Sequence, residues 1–177
     1  MTISCRSVSI FDPLINRMSL TIEGTKERIE LAACAEMMCQ SEPWITLGRD
    51  LNACREAMVG DYKEVYVARR NRELLGFIVL QMKGAFAGYI QSVCILPDAQ
   101  GAGIGSSLIR FAEERIFKVS PNVFLMVPSF NENAAQLYFN MGYEKVGLLK
   151  NYSIDGHDEI LLRKTIASWK SFSTLLN

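Results

Sequence analysis

The feature that most constrains this chain is a run of alternating glycines that follows a predicted strand and opens a predicted helix. The segment from Leu96 to Ser106 reads LPDAQGAGIGS. Glycines let consecutive backbone N–H groups point into one concavity, and the positive end of the following helix adds to the attraction for an anion. The segment therefore predicts a site for a phosphate or pyrophosphate group, although glycine-rich turns between a strand and a helix also occur for packing reasons.

Two common phosphate-binding motifs are excluded. A Walker loop requires the pattern GxxxxGK[ST], and this chain has no lysine between Lys83 and Lys118. The dinucleotide fingerprint GxGxxG fails because neither glycine pair of the segment is followed by a third glycine at the required spacing. The segment also follows several strands, whereas a dinucleotide fold places its fingerprint near the first strand.

The hydrophobic pattern on either side predicts a mixed α/β fold. Alternation and β-branched residues predict strands at about 18–23, 64–68, 74–81, 86–96, 122–127, 143–150 and 158–164. A period of 3.6 residues predicts four helices: after the caps Thr25 and Asp50, from Ile104 to before Ser120, and from a Ser129-x-x-Glu132 capping box to a stop at Gly142. The stretch 166–176 is either a short helix or a tail.

Composition favours one folded domain and excludes partners that are attracted by overall charge. Of 177 residues, 49% are hydrophobic and 21% charged, and 19 basic residues balance 19 acidic ones. This balance excludes a disordered chain, and it provides no general attraction to nucleic acid or an anionic membrane. We expect one domain over 1–177, with 1–17 as an N-terminal extension, 165–177 as a C-terminal tail or helix, and neither a nucleic-acid nor a membrane partner.

The cysteines and the single histidine argue against disulfide and metal sites. The five cysteines form no CxxC pair, and His157 has no partner at the spacing of zinc ligands. The first ten residues lack the basic and then apolar pattern of a secretion signal. We therefore expect no metal and a reducing, cytoplasmic setting.

Two motifs give the chain a resemblance to a known superfamily. The pattern QxxGxG at residues 100–105 resembles the [RQ]xxGx[GA] pyrophosphate loop of the GNAT superfamily of acyl-CoA-dependent N-acyltransferases. The pattern NxxAxxxYxxxGY at residues 131–143 is similar to that superfamily's NxxAxxxYxxxGF segment, with tyrosine in place of the final phenylalanine. The resemblance covers roughly residues 18–164.

The resemblance implies a fold and a reaction. The fold is a central, mostly antiparallel sheet of about seven strands, splayed at the strands before and after the glycine-loop helix and flanked by about four helices. The reaction is acetyl transfer from acetyl-CoA to a primary amine of a small molecule, a protein N-terminus or a lysine, by direct attack on the thioester. The alternative is a GNAT-like module that binds CoA esters without catalysis. The acceptor's identity and a homodimeric state remain open.

The resemblance also assigns residues. It places the pantetheine arm of acetyl-CoA in the splay and implies that Tyr138 is the general acid, for which the competing interpretation is a core tyrosine. Asn131 is expected near the pantetheine, or else as a simple helix start. The remaining cofactor contacts are backbone groups, with the arm held by Val93, Cys94 and Ile95 and the pyrophosphate held by Gln100, Gly101, Ala102, Gly103, Ile104, Gly105 and Ser106.

The general base is left open. Relatives in the superfamily that acetylate protein N-termini often carry a glutamate five residues before the motif's asparagine, and here that position is Met126. Gln91 could position a water, and a substrate amine that loses its proton to solvent needs no base. An acyl-cysteine at Cys94 is rejected, because no activating partner is near it in sequence. The loop-borne acceptor-side candidates are Glu36, Glu42, Asp155, His157, Asp158 and Glu159.

Overall fold

The structure, a computed structural model, describes residues 19–175. In this range seven strands form one sheet in the order β1-β2-β3-β4-β5-β7-β6. The strands are β1 (Thr21–Thr25), β2 (Lys63–Arg70), β3 (Glu73–Gln81), β4 (Tyr89–Ile95), β5 (Asn122–Pro128), β6 (Glu144–Ile154) and β7 (His157–Thr165). The helices are α1 (Arg28–Cys39), α2 (Leu51–Met58), α3 (Ile104–Ile116), α4 (Glu132–Asn140) and α5 (Trp169–Leu175).

The mixed α/β sheet of seven strands is confirmed. The described residues contain five helices where about four were expected, because the stretch after residue 166 forms α5. The expected extension, residues 1–17, lies outside the described residues, and the single-domain organisation stays a prediction. No helix between residues 19 and 175 combines the length and apolar character that crossing a bilayer requires.

The sheet is antiparallel except where β4 meets β5. These two strands run parallel and pair only at Tyr89 with Phe124 and at Ile90 with Leu125. Beyond these two pairs the strands diverge, although β4 continues to Ile95 and β5 to Pro128. The expected splay between the strands on either side of the glycine-loop helix is therefore present.

The two faces of the sheet bury separate sets of side chains, because successive residues of a strand point to opposite faces. On β3, Ile78 and Leu80 pack with α3, β5 and β7 in one cluster. Phe77 and Val79 pack with α1 and α2 in the other. The sheet thus lies between two layers of helices, and all four of these β3 side chains are fully buried.

Local side-chain bonds set where the helices begin. Asp50 caps α2 as predicted, since its Oδ1 accepts from the Ala53 N–H at 2.8 Å. Thr25 does not cap α1, because its hydroxyl accepts from the Glu27 N–H and the helix starts three residues later than that cap. The capping box at Ser129 is also wrong. The Ser129 hydroxyl accepts instead from the Asp158 N–H on β7, and α4 begins after a different cap.

Two ion pairs fix α3, the helix that follows the glycine loop, against the sheet. Arg115 of α3 forms a bidentate pair with Glu64 of β2, at 2.9 Å through Nε and 2.6 Å through Nη2. Lys164 of β7 contacts Glu113 of α3 at 2.7 Å. A two-point guanidinium–carboxylate contact restricts orientation as well as distance, so the C-terminal end of α3 is held in a defined orientation on the sheet.

Gly88→Ala tests the junction at which β4 and β5 still pair. Gly88 has φ +82°, its carbonyl accepts from the Phe124 N–H, and an added Cβ would lie 2.5 Å from Ile116 and 2.7 Å from the Asn122 carbonyl oxygen. We expect a loss of about 3 kcal/mol or more from backbone strain plus overpacking. The free energy of unfolding in denaturant measures it.

Gly48→Ala is the matched control, because Gly48 also has positive φ but no atom within 4 Å of the added Cβ. Backbone strain alone predicts about 1–2 kcal/mol for this variant. Equal losses in the two variants would contradict the close approach at Gly88.

Candidate active site

The glycine loop presents six consecutive backbone N–H groups that have no acceptor in the described part of the chain. Among residues 19–175, no hydrogen bond uses the N–H groups from Gly101 to Ser106, and the first satisfied one is that of Ser107, which donates to Gly103 at 3.0 Å. Gly101 and Gly103 have φ +78° and +77°, and a Cβ at either would meet nothing within 4 Å. These glycines are needed for their backbone conformation and not for close packing, which favours the anion-binding interpretation.

The side chain of Gln100 ties this loop back to β4. Its Nε2 donates to the backbone carbonyl of Ile95 at 3.3 Å, while the rest of the residue is exposed. The contact joins the end of β4 to the first residue of the predicted pyrophosphate loop. Gln100 therefore holds the loop in place through its side chain, and its own N–H donates to the Pro97 carbonyl at 3.2 Å, so the N–H groups that are open to an anion begin at Gly101.

A bulge in β4 sets which peptide groups face the splay. Ile90 pairs with Leu80 of β3, but Ser92 pairs with Val79, so Gln91 has no partner on β3. An extra residue in one strand shifts the alternation of its peptide groups by one place. Beyond Gln91, each N–H and C=O group of β4 therefore faces the side opposite to the one it would face in a strand without the bulge.

Beyond the bulge, the open side of β4 is formed by Val93 and Ile95. The Leu96 N–H donates to the Leu75 carbonyl of β3 at 2.9 Å. Because peptide groups alternate along a strand, those of Cys94 also face β3, and those of Val93 and Ile95 face the splay. This alternation favours Val93 and Ile95 over Cys94 as backbone anchors for an extended ligand.

A cleft of about 730 Å³ occupies the splay, and we refer to it as the splay cleft. Strands β4, β5, β6 and β7, helix α4, and the segments around α1 and α2 all contribute to its walls. The residues that line it from these strands and from α4 include Tyr89, Gln91, Ser92, Val93, Met126, Val127, Pro128, Asn131, Tyr138, Ser153 and Glu159. The sequence-predicted residues Val93, Asn131 and Tyr138 thus meet in one cavity.

Tyr138 is held in this cleft by burial on α4. Its side chain is 9% exposed, and its ring makes an edge-to-face contact with Tyr143 at a centroid distance of 5.6 Å. Burial, with a smaller contribution from nearby Tyr89, raises the pKa of Tyr138 above its ordinary value, so the hydroxyl is protonated at neutral pH. No hydrogen bond among residues 19–175 uses that hydroxyl, which leaves it free to donate to a ligand.

Asn131 has a structural role that the motif did not specify. It is the N-cap of α4, and its Oδ1 accepts from the Ala134 N–H at 3.3 Å. The side chain also lines the splay cleft, and its amide NH₂ group is not used by this cap. The helix-start and ligand-contact interpretations of this residue are therefore compatible.

Three of the seven candidates for the general base line the cleft. Gln91, Glu42 and Glu159 line it, whereas Glu36, Asp155, His157 and Asp158 do not. Glu159 is 5% exposed, and its Oε1 accepts from the Ser153 hydroxyl at 2.8 Å. Burial raises the pKa of Glu159, while the Ser153 hydrogen bond and Arg49 act in the opposite direction.

Tyr89 is a cleft residue that the sequence did not single out. Burial raises its pKa to about 12, with further contributions from Glu159 and Tyr152 and an opposing one from the Met126 backbone. Tyr89 lies at the first of the two paired positions of β4 and β5, one residue before the strands diverge. Its sequence context is an ordinary strand, so no local pattern marks it.

Cys94 lies in an environment that suppresses thiol chemistry. It is 3% exposed and packs between the sheet and α1 and α2 with Cys34 and Cys54. Burial raises the pKa of Cys94 to about 11 and that of Cys34 to about 12, while the Ser41 side chain opposes the shift at Cys94. A thiolate nucleophile at Cys94 is therefore disfavoured at neutral pH.

We expect alkylation at pH 7.5 to discriminate among the four described cysteines. Cys39 is partly exposed, whereas Cys34, Cys54 and Cys94 are buried thiols. Iodoacetamide should label Cys39 first and Cys94 roughly 100-fold more slowly, because only thiolates react. Peptide mass spectrometry gives the rates, with denatured protein as the control. Equal native rates at Cys39 and Cys94 would contradict the burial argument.

Comparisons with known proteins agree with this geometry. Residues 61–145 match the family model of the acetyltransferase (GNAT) domain. An uncharacterised N-acetyltransferase of Methanocaldococcus jannaschii is 33% identical over 101 residues, which span 56% of this chain and 64% of the relative, so less than two thirds of that relative is matched. The N-alpha-acetyltransferase RimI of Mycobacterium tuberculosis is 28% identical over 151 residues, 80% of this chain and 90% of the relative.

Solved structures show the same fold. The ribosomal-protein-S18-alanine N-acetyltransferase of Escherichia coli superimposes with a TM-score of 0.69 at 18% identity, covering 85% of this chain and 97% of that one. An aminoglycoside 6′-N-acetyltransferase complexed with coenzyme A gives a TM-score of 0.67 at 16% identity, covering 84% and 98%. With the splayed sheet and the glycine loop, these findings show that the chain has the fold of the GNAT acetyltransferases, and that residues 61–145 are similar in sequence to the acetyltransferase (GNAT) domain.

Proposed function

We propose that the protein is an N-acetyltransferase that moves an acetyl group from acetyl-CoA to a primary amine by direct attack on the thioester. The observation that carries this proposal is the splay between β4 and β5, which opens next to six unused N–H groups and contains a protonated tyrosine. The GNAT domain match and the N-acetyltransferase names of the relatives support it.

Acetyl-CoA is the proposed co-substrate, and the chain offers complementary groups for two of its parts. The N–H groups from Gly101 to Ser106, at the positive end of α3, would hold the pyrophosphate without a lysine or arginine. The pantetheine arm would extend along the open edge of β4, where Val93 offers its N–H and C=O. The NH₂ group of Asn131 is available on the opposite wall of the cleft.

Catalysis in this proposal divides between an amide and a tyrosine. The Val93 N–H would polarise the acetyl carbonyl and stabilise the oxyanion of the tetrahedral intermediate. The Tyr138 hydroxyl would donate its proton to the departing sulfur. Its raised pKa keeps that proton available throughout the neutral range.

The acceptor is proposed only as a primary amine, of a small molecule, a protein N-terminus or a lysine. A cytoplasmic location is proposed as well, supported by the four described cysteines, which are all free thiols. The non-catalytic CoA-ester module is not favoured by the N-acetyltransferase names of the relatives. It predicts acetyl-CoA binding with no amine-dependent release of thiol, which the next experiment measures directly.

Tyr138→Phe tests the general acid. Removing the hydroxyl leaves the ring packing intact and removes the proton donor, so kcat/KM should fall by about 10²–10⁴-fold with acetyl-CoA affinity unchanged. Thiol release from acetyl-CoA in the presence of a panel of amines measures the rate. Tyr143→Phe is the control, because it removes a buried hydroxyl from the neighbouring ring, which does not line the splay cleft.

If Tyr143→Phe lost as much activity as Tyr138→Phe, the assignment of the acid would be wrong. If the wild-type protein bound acetyl-CoA yet no amine accelerated thiol release, the protein would be a binding module and not an acetyltransferase.

Gly103→Ala tests the pyrophosphate loop, with Gly156→Ala as its match. Both positions have positive φ and open space around an added Cβ, so the two variants should lose similar stability, about 1–2 kcal/mol. Only Gly103 belongs to the loop, so only Gly103→Ala should bind acetyl-CoA at least tenfold more weakly, about 1.4 kcal/mol.

The measurement is the rise in melting temperature on adding acetyl-CoA, with NAD and ATP as comparison ligands. If acetyl-CoA raised the melting temperature of both variants equally, the loop would not be part of the cofactor site. A rise with NAD or ATP and none with acetyl-CoA would contradict the choice of co-substrate.

A further inference from the structure

We infer that Glu159 of β7 binds the ammonium group of the acceptor and takes its proton, and that the acceptor is a primary amine carrying one positive charge on an apolar or aromatic group. The inference rests on the proposed function, whose acceptor side it specifies.

Strand register and the cleft lining place Glu159 in the wall of the cleft, on the same face of the sheet as Met126. Glu159 pairs with Pro128 of β5, and Met126 pairs with Leu161 of β7. Paired residues of antiparallel strands share a face, and residues two apart on one strand share it too. Glu159 therefore projects from the same face of the sheet as Met126, and the neighbouring strand supplies a carboxylate that β5 lacks.

The carboxylate is buried without a cation of its own. Glu159 is 5% exposed and lines the splay cleft, and its one side-chain hydrogen bond among residues 19–175 is the one from Ser153 to Oε1. Each ion pair in that range joins other residues. Burying an unpaired carboxylate is costly, so a cationic ligand that enters the cleft gains binding free energy by compensating it.

The groups around Glu159 are compatible with its acting as a general base. Arg49, from the segment before α2, lies near enough to oppose the shift in its pKa but forms no ion pair with it. Tyr89 of β4 interacts with the charge of Glu159, and Tyr152 of β6 interacts in turn with Tyr89. Burial raises the pKa of both Glu159 and Tyr89, which makes Glu159 a better proton acceptor and keeps Tyr89 protonated near neutral pH.

The charges around the cleft match an acceptor with a single ammonium group. Besides Glu159, the cleft is lined by three cationic side chains, Arg49, Lys63 and Lys83, and by two anionic ones, Glu42 and Glu56. With Glu159 included, these six charges sum to zero. Glu159 can therefore compensate one ammonium group, and the cleft has no net negative charge to attract a second. The apolar side chains of Pro43, Trp44, Leu47, Phe86 and Tyr152 also line the cleft and would contact the rest of the acceptor.

The proposed step conserves protons and electrons. The ammonium gives one proton to Glu159, which passes it to solvent, and the neutral nitrogen forms the C–N bond to the acetyl carbonyl. The C–S bond then breaks with its electron pair on sulfur, which takes the Tyr138 proton. The second proton lost by nitrogen restores the Tyr138 hydroxyl, so one proton is released for each acetyl group transferred.

Glu159→Gln tests the inference, with Glu144→Gln as the matched control. Gln keeps the shape and removes the charge, and Glu144 is an exposed glutamate at the other end of the β6–β7 hairpin. Amine binding is titrated calorimetrically into protein saturated with CoA, a dead-end complex that cannot turn over. The probes are 2-phenylethylamine, spermidine, a short peptide with a free apolar N-terminus, and an N-blocked peptide containing lysine.

We expect 2-phenylethylamine or the free N-terminal peptide to bind more tightly than spermidine, and Glu159→Gln to weaken that binding at least tenfold. Acetyl-CoA binding should be unchanged, and Glu144→Gln should match the wild type. Because the buried charge is lost, the melting temperature of Glu159→Gln should equal or exceed that of the wild type.

The pH profile gives a second readout. Activity needs the deprotonated carboxylate, so kcat/KM should fall as the pH drops through the raised pKa of Glu159. In Glu159→Gln, kcat/KM should fall by at least about 100-fold. Its pH profile should then keep only the limb that is set by the pKa of the amine itself.

Three outcomes would overturn the inference: no amine binds the wild type, Glu159→Gln binds amines as tightly as the wild type, or spermidine is the preferred ligand. If acetyl-CoA and an amine both bind but no acetyl group moves, the proposed function fails, while the titration still decides whether Glu159 receives the cation.

Discussion

The site depends on the parallel contact between β4 and β5, which ends after two residue pairs. A sheet normally satisfies its backbone groups between neighbouring strands, and here the strands separate while both continue. The separation is maintained because each strand is held on its other side, β4 by β3 and β5 by β7, and because helices cover both faces. An extended ligand that supplies the missing pairing is the natural complement of such a gap.

Much of this arrangement could be predicted from the sequence, because it depends on local patterns. The glycine spacing at residues 101–105 and the tyrosine at 138 are encoded in short segments whose geometry is set by backbone chemistry. The start of α2 at Asp50 was predicted for the same reason. Among residues 19–175, the Asp50 carboxylate accepts a hydrogen bond only from the Ala53 N–H, three residues along the chain.

The features that could not be predicted depend on contacts between distant segments. Ser129 does not cap α4 because its hydroxyl accepts a hydrogen bond from the Asp158 N–H of β7, 29 residues away. The selection of Glu159 from the acidic residues around the β6–β7 turn depends on the register of β7 against β5. Alternation within a single strand cannot reveal that register. The bulge at Gln91 is likewise a property of the pair of strands β3 and β4.

That bulge makes the length of β4 as constrained as its composition. Side chains at Val93 and Ile95 can change among apolar residues with little effect on an anchor made of peptide groups. A deletion or insertion of one residue in β4 would instead exchange the edges that its amides face, turning the amide of Cys94 toward the gap and that of Val93 toward β3. Divergence of this segment should therefore proceed by substitution, with gaps confined to the loop before Tyr89.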